Sequence, residues 1–142
     1  MAYKIRKSSR ITEDIELIGE NGEVQKVISV DINVDRIMSG YRQAKVNLMK
    51  LEQAVKKKNT PEACENYGKA IMDLFNMIFG TDTTKEIFDF FEGRYIDMHL
   101  QMIPFIINVV EPALIQAVAA KKSDIANNYS FSRRQRRKLG LK

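Results

Sequence analysis

The run Val34-Asp35-Arg36-Ile37-Met38-Ser39-Gly40-Tyr41-Arg42-Gln43-Ala44-Lys45-Val46-Asn47-Leu48-Met49-Lys50-Leu51-Glu52-Gln53-Ala54-Val55-Lys56-Lys57-Lys58 decides the fold class. Val34, Ile37, Tyr41, Ala44, Leu48, Leu51 and Val55 follow one another at intervals of 3, 4, 3, 4, 3 and 4 residues. That period places all seven on one stripe of an α-helix. The spacing predicts a helix over about 34–58, with Lys56, Lys57 and Lys58 at the end where the helix dipole favours cations. A coiled-coil seam and the inner face of an intramolecular bundle both fit the stripe, and the bundle is the simpler reading.

Upstream the period is two. Ile15 and Leu17 alternate before Glu20-Asn21-Gly22-Glu23, and Ile28, Val30 and Ile32 alternate after it. This predicts a β-hairpin over 14–33, preceded by an N-terminal segment of residues 1–13. Asn21-Gly22 suits a two-residue type I′ turn, because both residues tolerate positive φ. A lone hairpin is marginal in water, so it must lie on the helices or pair with another chain, and its edges are natural sites of self-association.

Downstream, Thr60-Pro61-Glu62 supplies a capping hydroxyl, a proline at the first helical position and an acid in the first turn. A second helix is therefore expected over 61–79, with Tyr67, Ala70, Ile71, Leu74, Ile78 and Phe79 on its apolar face and Gly80 as its stop. Thr81-Asp82 caps a third helix over 83–92, whose Ile87, Phe88, Phe90 and Phe91 are too dense for a one-sided surface helix. That segment is either wedged into the core or a docking surface, and Gly93 ends it. A final helical region is expected over 95–126, kinked or broken by Pro104 and Pro112. Residues 127–142 are too polar to offset ordering entropy and read as a flexible tail. The fold class is mainly α with a small N-terminal β-hairpin (α+β): one domain, 14–126, built as a helical bundle with a flexible basic C-terminal tail.

Charge sharpens the role of that tail. The chain has 142 residues, 23 basic and 18 acidic, for a formal charge of +5. Arg133, Arg134, Arg136, Arg137, Lys138 and Lys142 fall in the last ten residues with no acid among them, so residues 1–132 carry 17 bases against 18 acids. The body is near neutral. The tail would bind phosphates in a salt-sensitive way, but without interleaved aromatics or a reading helix a nucleic-acid function ranks second to a protein partner.

The one cysteine excludes an intramolecular disulfide, and with one histidine it cannot complete a structural zinc site. The N-terminus has no apolar run behind its bases, so no signal peptide is expected. The apolar stretch 98–120 is interrupted by His99, Gln101, Asn108, Glu111, Gln116 and two prolines, so no membrane span is expected and the cytoplasm is the default.

Catalytic chemistry finds little purchase. His99 has Tyr95, Met102 and Ile103 as helical neighbours and no orienting partner in the sequence. Cys64 sits in a helix first turn, but no base accompanies it. Asp82, Glu86, Asp89 and Glu92 share one short helix and read as a solvated face. No calcium loop, Walker pattern or glycine fingerprint is present. No catalytic residue, cofactor or metal is assigned.

The segment Phe90-Phe91-Glu92-Gly93-Arg94-Tyr95-Ile96-Asp97-Met98, leading into Ile103-Pro104-Phe105-Ile106, together with the basic Arg-Arg-Gln-Arg-Arg-Lys end, resembles the small tail assembly chaperones of long-tailed bacteriophages of Gram-positive hosts. The hairpin and helical body of this size match as well. The resemblance implies a non-enzymatic protein of the host cytoplasm that coats and solubilises the phage tape measure protein, recruits the tail tube protein and forms homo-oligomers. A frameshifted longer product is also implied. Adaptable apolar side chains suit such work, and Phe88, Phe91, Tyr95, Met98, Met102 and Phe105 are the expected partner contacts, with Met72 and Met77 nearby.

Overall fold

The structure, a computed structural model, describes Ala2 and residues 10–138, with only the backbone for residue 124 and residues 127–138. The rest of the expected N-terminal segment, and Lys142 of the expected tail, lie outside the described residues.

The fold is mainly helical with an N-terminal two-stranded antiparallel sheet, as the change of period requires. β1 (Arg10–Ile18) pairs with β2 (Val24–Asn33). Ile11, Leu17, Ile28, Val30 and Ile32 are buried on one face of the hairpin against the helices. The other face carries charges, among them the Arg10–Asp31 pair at 2.7 Å and the Ser29 hydroxyl donating to Asp14 at 2.7 Å.

The turn differs from the expected type I′. Gly22 N–H donates to the Gly19 carbonyl at 3.0 Å and Gly19 N–H to the Glu23 carbonyl at 2.9 Å, and of the loop residues only Gly22 has positive φ, +81°. This is a three-residue loop closed by a left-handed glycine. The Asn21 side chain accepts from Glu23 N–H at 3.1 Å, so asparagine serves here as an acceptor. The register slips between Leu17 and Ile18, because Leu17 faces Lys26 and Ile18 faces Val24. Gln25 is the bulged residue, and beyond it Ile18 and Val24 are both exposed.

The expected 34–58 helix is in fact two. α1 (Val34–Met38) and α2 (Tyr41–Lys57) are separated by Ser39-Gly40. A Cβ at Gly40 would stand 3.0 Å from the Met77 methyl, so the chain crosses closely over the end of the next helix at that point. Val34, Ile37, Tyr41 and Leu48 are buried as the stripe requires, and α2 packs within its own chain against α3 (Pro61–Phe79).

α3 follows its sequence signals closely. Thr60 Oγ1 accepts from Ala63 N–H at 3.1 Å, Pro61 opens the helix, and Gly80 closes it at φ +85°. Its contacts run to α2, α4 (Thr81–Phe90), α5 (Tyr95–Phe105) and β2, which makes it the central helix. That position explains why eight of its residues are buried, including Phe75 and Ile71 at 0% exposure.

α4 begins at Thr81 and has no side-chain cap, so the capping role expected of Thr81-Asp82 is not realised. It begins two residues before the expected start at 83 and ends at Phe90, two residues short of the expected end at 92. Gly93 N–H donates to the Phe88 carbonyl at 3.1 Å and Glu92 N–H to Asp89 at 3.0 Å, the two bonds of a Schellman motif. The left-handed position is held by Glu92 at φ +55°, with Gly93 following at +80°.

Neither proline breaks the last helical region. α5, a five-residue π-helical turn (Ile106–Val110) and α6 (Glu111–Lys138) follow without interruption. Pro112 has no N–H to donate and its ring crowds the carbonyl four residues back. The wider π turn, with Glu111 N–H bonded to the Ile106 carbonyl, takes up that strain without a break. The helix also continues past residue 126 to Lys138. Residues 127–138 contain no glycine or proline, and Arg, Lys and Gln are strong helix formers. The expected departure from helix at 127 is thereby corrected.

Candidate partner-binding site

The π turn sets the geometry of the most chemically distinctive region. It brings Glu111 to face α2, where Tyr41 Oη donates to Glu111 Oε1 at 2.9 Å and Lys45 Nζ bonds the same oxygen. Burial works to raise the Glu111 pKa, but the hydrogen bonds from Lys45 and Tyr41 outweigh it and hold the carboxyl below its usual range. Burial and the same carboxylate push Tyr41 up. This bridge ties α2 to the long helix at one point.

Apolar grooves open on both sides of the bridge. On one side is a cleft of about 140 Å³ between α2 and α5, with Leu48, Met49, Leu74, His99, Ile103 and Ile107 in its walls. On the other lies a groove between the α1–α2 junction and α6, lined by Met38, Leu114, Ile115 and Val118. Tyr41 lines both. Met49, Leu100, Ile107 and Ile115 are each more or less half exposed or beyond, at 55, 57, 50 and 68%. From Ile103 to Val118 the two grooves together follow about 22 Å of helix at 1.5 Å per residue. That is room for about four turns of a partner helix, laid in as an amphipathic helix lies in a groove.

His99 forms part of the cleft wall at 6% exposure, packed edge-on to Tyr67 and Phe75. Its Nδ1 has no hydrogen-bond partner. Burial lowers its pKa, and the Glu52 charge opposes that only in part. A neutral imidazole without an orienting group is not arranged as a general base. Cys64 lies elsewhere, in a separate cleft with Gly68 and Tyr95, and its thiol donates to Asn59 Oδ1 at 2.8 Å. Histidine and cysteine therefore do not meet. Among the described residues no group of three or more His, Cys, Asp or Glu is placed to hold a metal ion.

The residues expected to contact a partner divide sharply. Met98 and Met102 are 0 and 4% exposed and belong to the core, so they are corrected as contact residues. Phe105 stacks on Phe79 with ring centroids 6.0 Å apart. Tyr95 lies over Gly68 and donates to the Cys64 carbonyl at 3.3 Å. Phe88 and Phe91 are half-buried around the α4–α5 turn, Phe91 edge-on to Phe90 at 5.2 Å. The exposed line from α5 into the π turn is a different one: Ile96, Leu100 and Ile107, with half-buried Ile103 between them, at intervals of 4, 3 and 4. That second stripe is visible in the sequence. α5 is apolar on both sides, and the heavier Phe and Met side chains face inward. For the same reason the stretch Tyr95–Ser123 is long and apolar enough to cross a membrane by length and composition alone, yet Met98, Met102, Ile106, Val110, Leu114 and Ala117 along it are buried in the protein.

Arg133, Arg134, Arg136, Arg137 and Lys138 fall in the last turns of α6. Every residue from Ala119 to Ser123, and Ile125 and Ala126, is exposed.

No curated protein and no solved structure matches the chain. A family model does, over residues 21–140, which takes in β2 and every helix. The chain belongs to that family, described as a family of unknown function (DUF6673).

Proposed function

We propose that this protein is a non-enzymatic assembly chaperone that holds a helical segment of an elongated partner, as the tail assembly chaperones of long-tailed phages hold the tape measure protein. One observation supports it above the others: the apolar trough between α2 and the α5–α6 helix, flanked by half-exposed Met49, Leu100, Ile107 and Ile115. Such a surface is unfavourable in water until something covers it. The local likeness of Phe90 to Ile106 to those chaperones names the tape measure protein as occupant, with the tail tube protein as a later partner in the host cytoplasm.

The test is co-expression of the full chain with a tape measure protein from a phage of a Gram-positive host. The wild-type chain is expected to raise the soluble yield of that protein severalfold, and Leu100→Asp with Ile107→Asp to abolish the gain while keeping the far-ultraviolet circular dichroism. A soluble yield that the wild-type chain leaves unchanged overturns the proposal. So does a double variant that is as effective as wild type.

A further inference from the structure

A second groove, of about 540 Å³, lies at the far end of the molecule between the hairpin loop and the α4–α5 turn. Its apolar walls are Ile18, Phe90 and Phe91, and its acids are Glu20, Glu92 and Asp97. Ile18 is 48% exposed, unusual for an isoleucine at the end of a strand. The one base in the lining, Arg94, is paired with Glu92 at 3.8 Å. The two segments that form the groove are both acidic. Residues 10–33 hold six acids and two bases, and residues 81–97 hold five acids and two bases. They carry 11 of the chain's 18 acids.

The opposite charge sits in the sequence at the C-terminal end of the chain. Residues 133–142 hold six bases and no acid, and Tyr129 and Phe131 precede them. From Ala119 onward the described side chains of this helix touch no other element closely enough to be buried. The seven described side chains between Ala119 and Ala126 are all exposed, a stretch of helix to which a covering partner adds buried contacts.

Its own groove is badly placed to do so. Lys121 pairs with Asp35 at 3.6 Å, which fixes α6 beside the base of β2. The groove is at the loop end, a ten-residue strand away, about 30 Å at 3.3 Å per residue. The exposure of residues 119–123 shows that the helix does not run back along the hairpin.

We propose that the groove between the hairpin loop and the α4–α5 turn receives the basic end of α6 from a second copy of this chain. Phe90, Phe91 and Ile18 take the apolar side of the incoming segment, and Glu20, Glu92 and Asp97 face its arginines. The groove and the helix end are different surfaces, so the contact is head-to-tail and propagates into a chain or a closed ring. It is made between copies and does not depend on what the α2–α6 trough holds.

Sedimentation velocity on nuclease-treated full chain tests it. At 50 mM NaCl the wild type is expected to form concentration-dependent species beyond the dimer, about tenfold weaker at 500 mM as exposed charges are screened. Glu20→Lys/Glu92→Lys/Asp97→Lys and, separately, Arg133→Gln/Arg134→Gln/Arg136→Gln/Arg137→Gln are each expected to be monomeric. Mixed, the two are expected to form a 1:1 dimer and nothing larger, because only one intact groove and one intact basic end remain. Glu20→Lys alone, in the exposed loop, is expected to weaken assembly about threefold at low salt, and covers the case in which the triple variant misfolds. A monomeric wild type at 50 mM NaCl overturns the proposal, including by docking within one chain. Wild-type assembly by the triple variant or by Glu20→Lys, a mixture that stays monomeric, or assembly only when nucleic acid is added does the same.

Discussion

Replacing Glu111 with alanine removes the bridge between α2 and the long helix, and the size of the loss follows from its two bonds. Tyr41 is buried and its Oη donates to the carboxylate at 2.9 Å. A hydrogen bond to a charged group contributes about 1.5–3 kcal/mol net. Lys45 is 44% exposed, so solvent screening reduces its share to about 0.5 kcal/mol. Glu111→Ala should therefore cost about 2 kcal/mol, a fall in Tm of about 6–8 °C for a chain of this length. Glu111→Gln keeps an acceptor for Tyr41 and should lose about half as much.

Urea unfolding at pH 7 followed by circular dichroism measures these values, and a double-mutant cycle with Tyr41→Phe isolates the shared bond. A coupling of about 1 kcal/mol is expected. The pH dependence has a definite sign. The folded-state pKa of Glu111 lies below its ordinary 4.5, so its contribution is complete above about pH 4.5 and is lost as pH falls through the folded value. Glu111→Ala should thus lie parallel to wild type above pH 5 and converge on it in acid. A loss under 0.5 kcal/mol at pH 7, or a cycle with no coupling, would refute the view that the π turn holds Glu111 in a stabilising bridge.

Two further outcomes follow from buried groups. His99 is held below its ordinary pKa of 6.5, so the unfolded chain binds its proton first; stability is full above about pH 6.5 and declines as pH falls toward the folded value. His99→Phe should flatten that decline in pH-dependent urea midpoints, and an unchanged slope between pH 6.5 and 5 would count against it. Gly68→Ala gains about 1 kcal/mol in helix propensity, but its Cβ would stand 2.9–3.1 Å from three Tyr95 ring atoms. Moving the ring costs about 1–3 kcal/mol and the Cys64 carbonyl bond about 1 more, so a net loss of about 1–3 kcal/mol is expected by thermal melting. In a Tyr95→Ala background the same change should become stabilising by about 1 kcal/mol, and a loss persisting there would show that the ring is not the cause.

Much of this architecture is written locally. Thr60, Pro61 and Gly80 each act on their own backbone neighbours, so the ends of α3 were legible from them alone. The alternation of Ile28, Val30 and Ile32 fixed which side of β2 faces inward, because a pleat leaves only two choices. The break at Ser39-Gly40 was not legible. Intervals of 3 and 4 run through it unchanged, and the close approach of Met77, which leaves little room for a Cβ at Gly40, is a contact between residues 37 positions apart. The hairpin loop was misread for a related reason: Asn21-Gly22 permits type I′, but the bulge at Gln25 sets the register and leaves only Gly22 left-handed.

The partner-binding side of α5 shows where periodicity fails in principle. Met98, Met102 and Phe105 form one helical stripe, and Ile96, Leu100, Ile103 and Ile107 form another at the same spacing. A period states that residues share a face. It does not state which of two apolar faces meets the core. α3 settles it, since the His99 side of α5 packs against Tyr67 and Phe75 and so draws Met98 and Met102 inward. The stripe left over remains apolar although, among the described residues, Ile96, Leu100 and Ile107 stay exposed. A helix that needed only a core would have polar residues there. Ile96, Leu100 and Ile107 are thus the residues whose chemistry folding within one chain leaves unexplained, and they are where a partner's contribution is to be measured first.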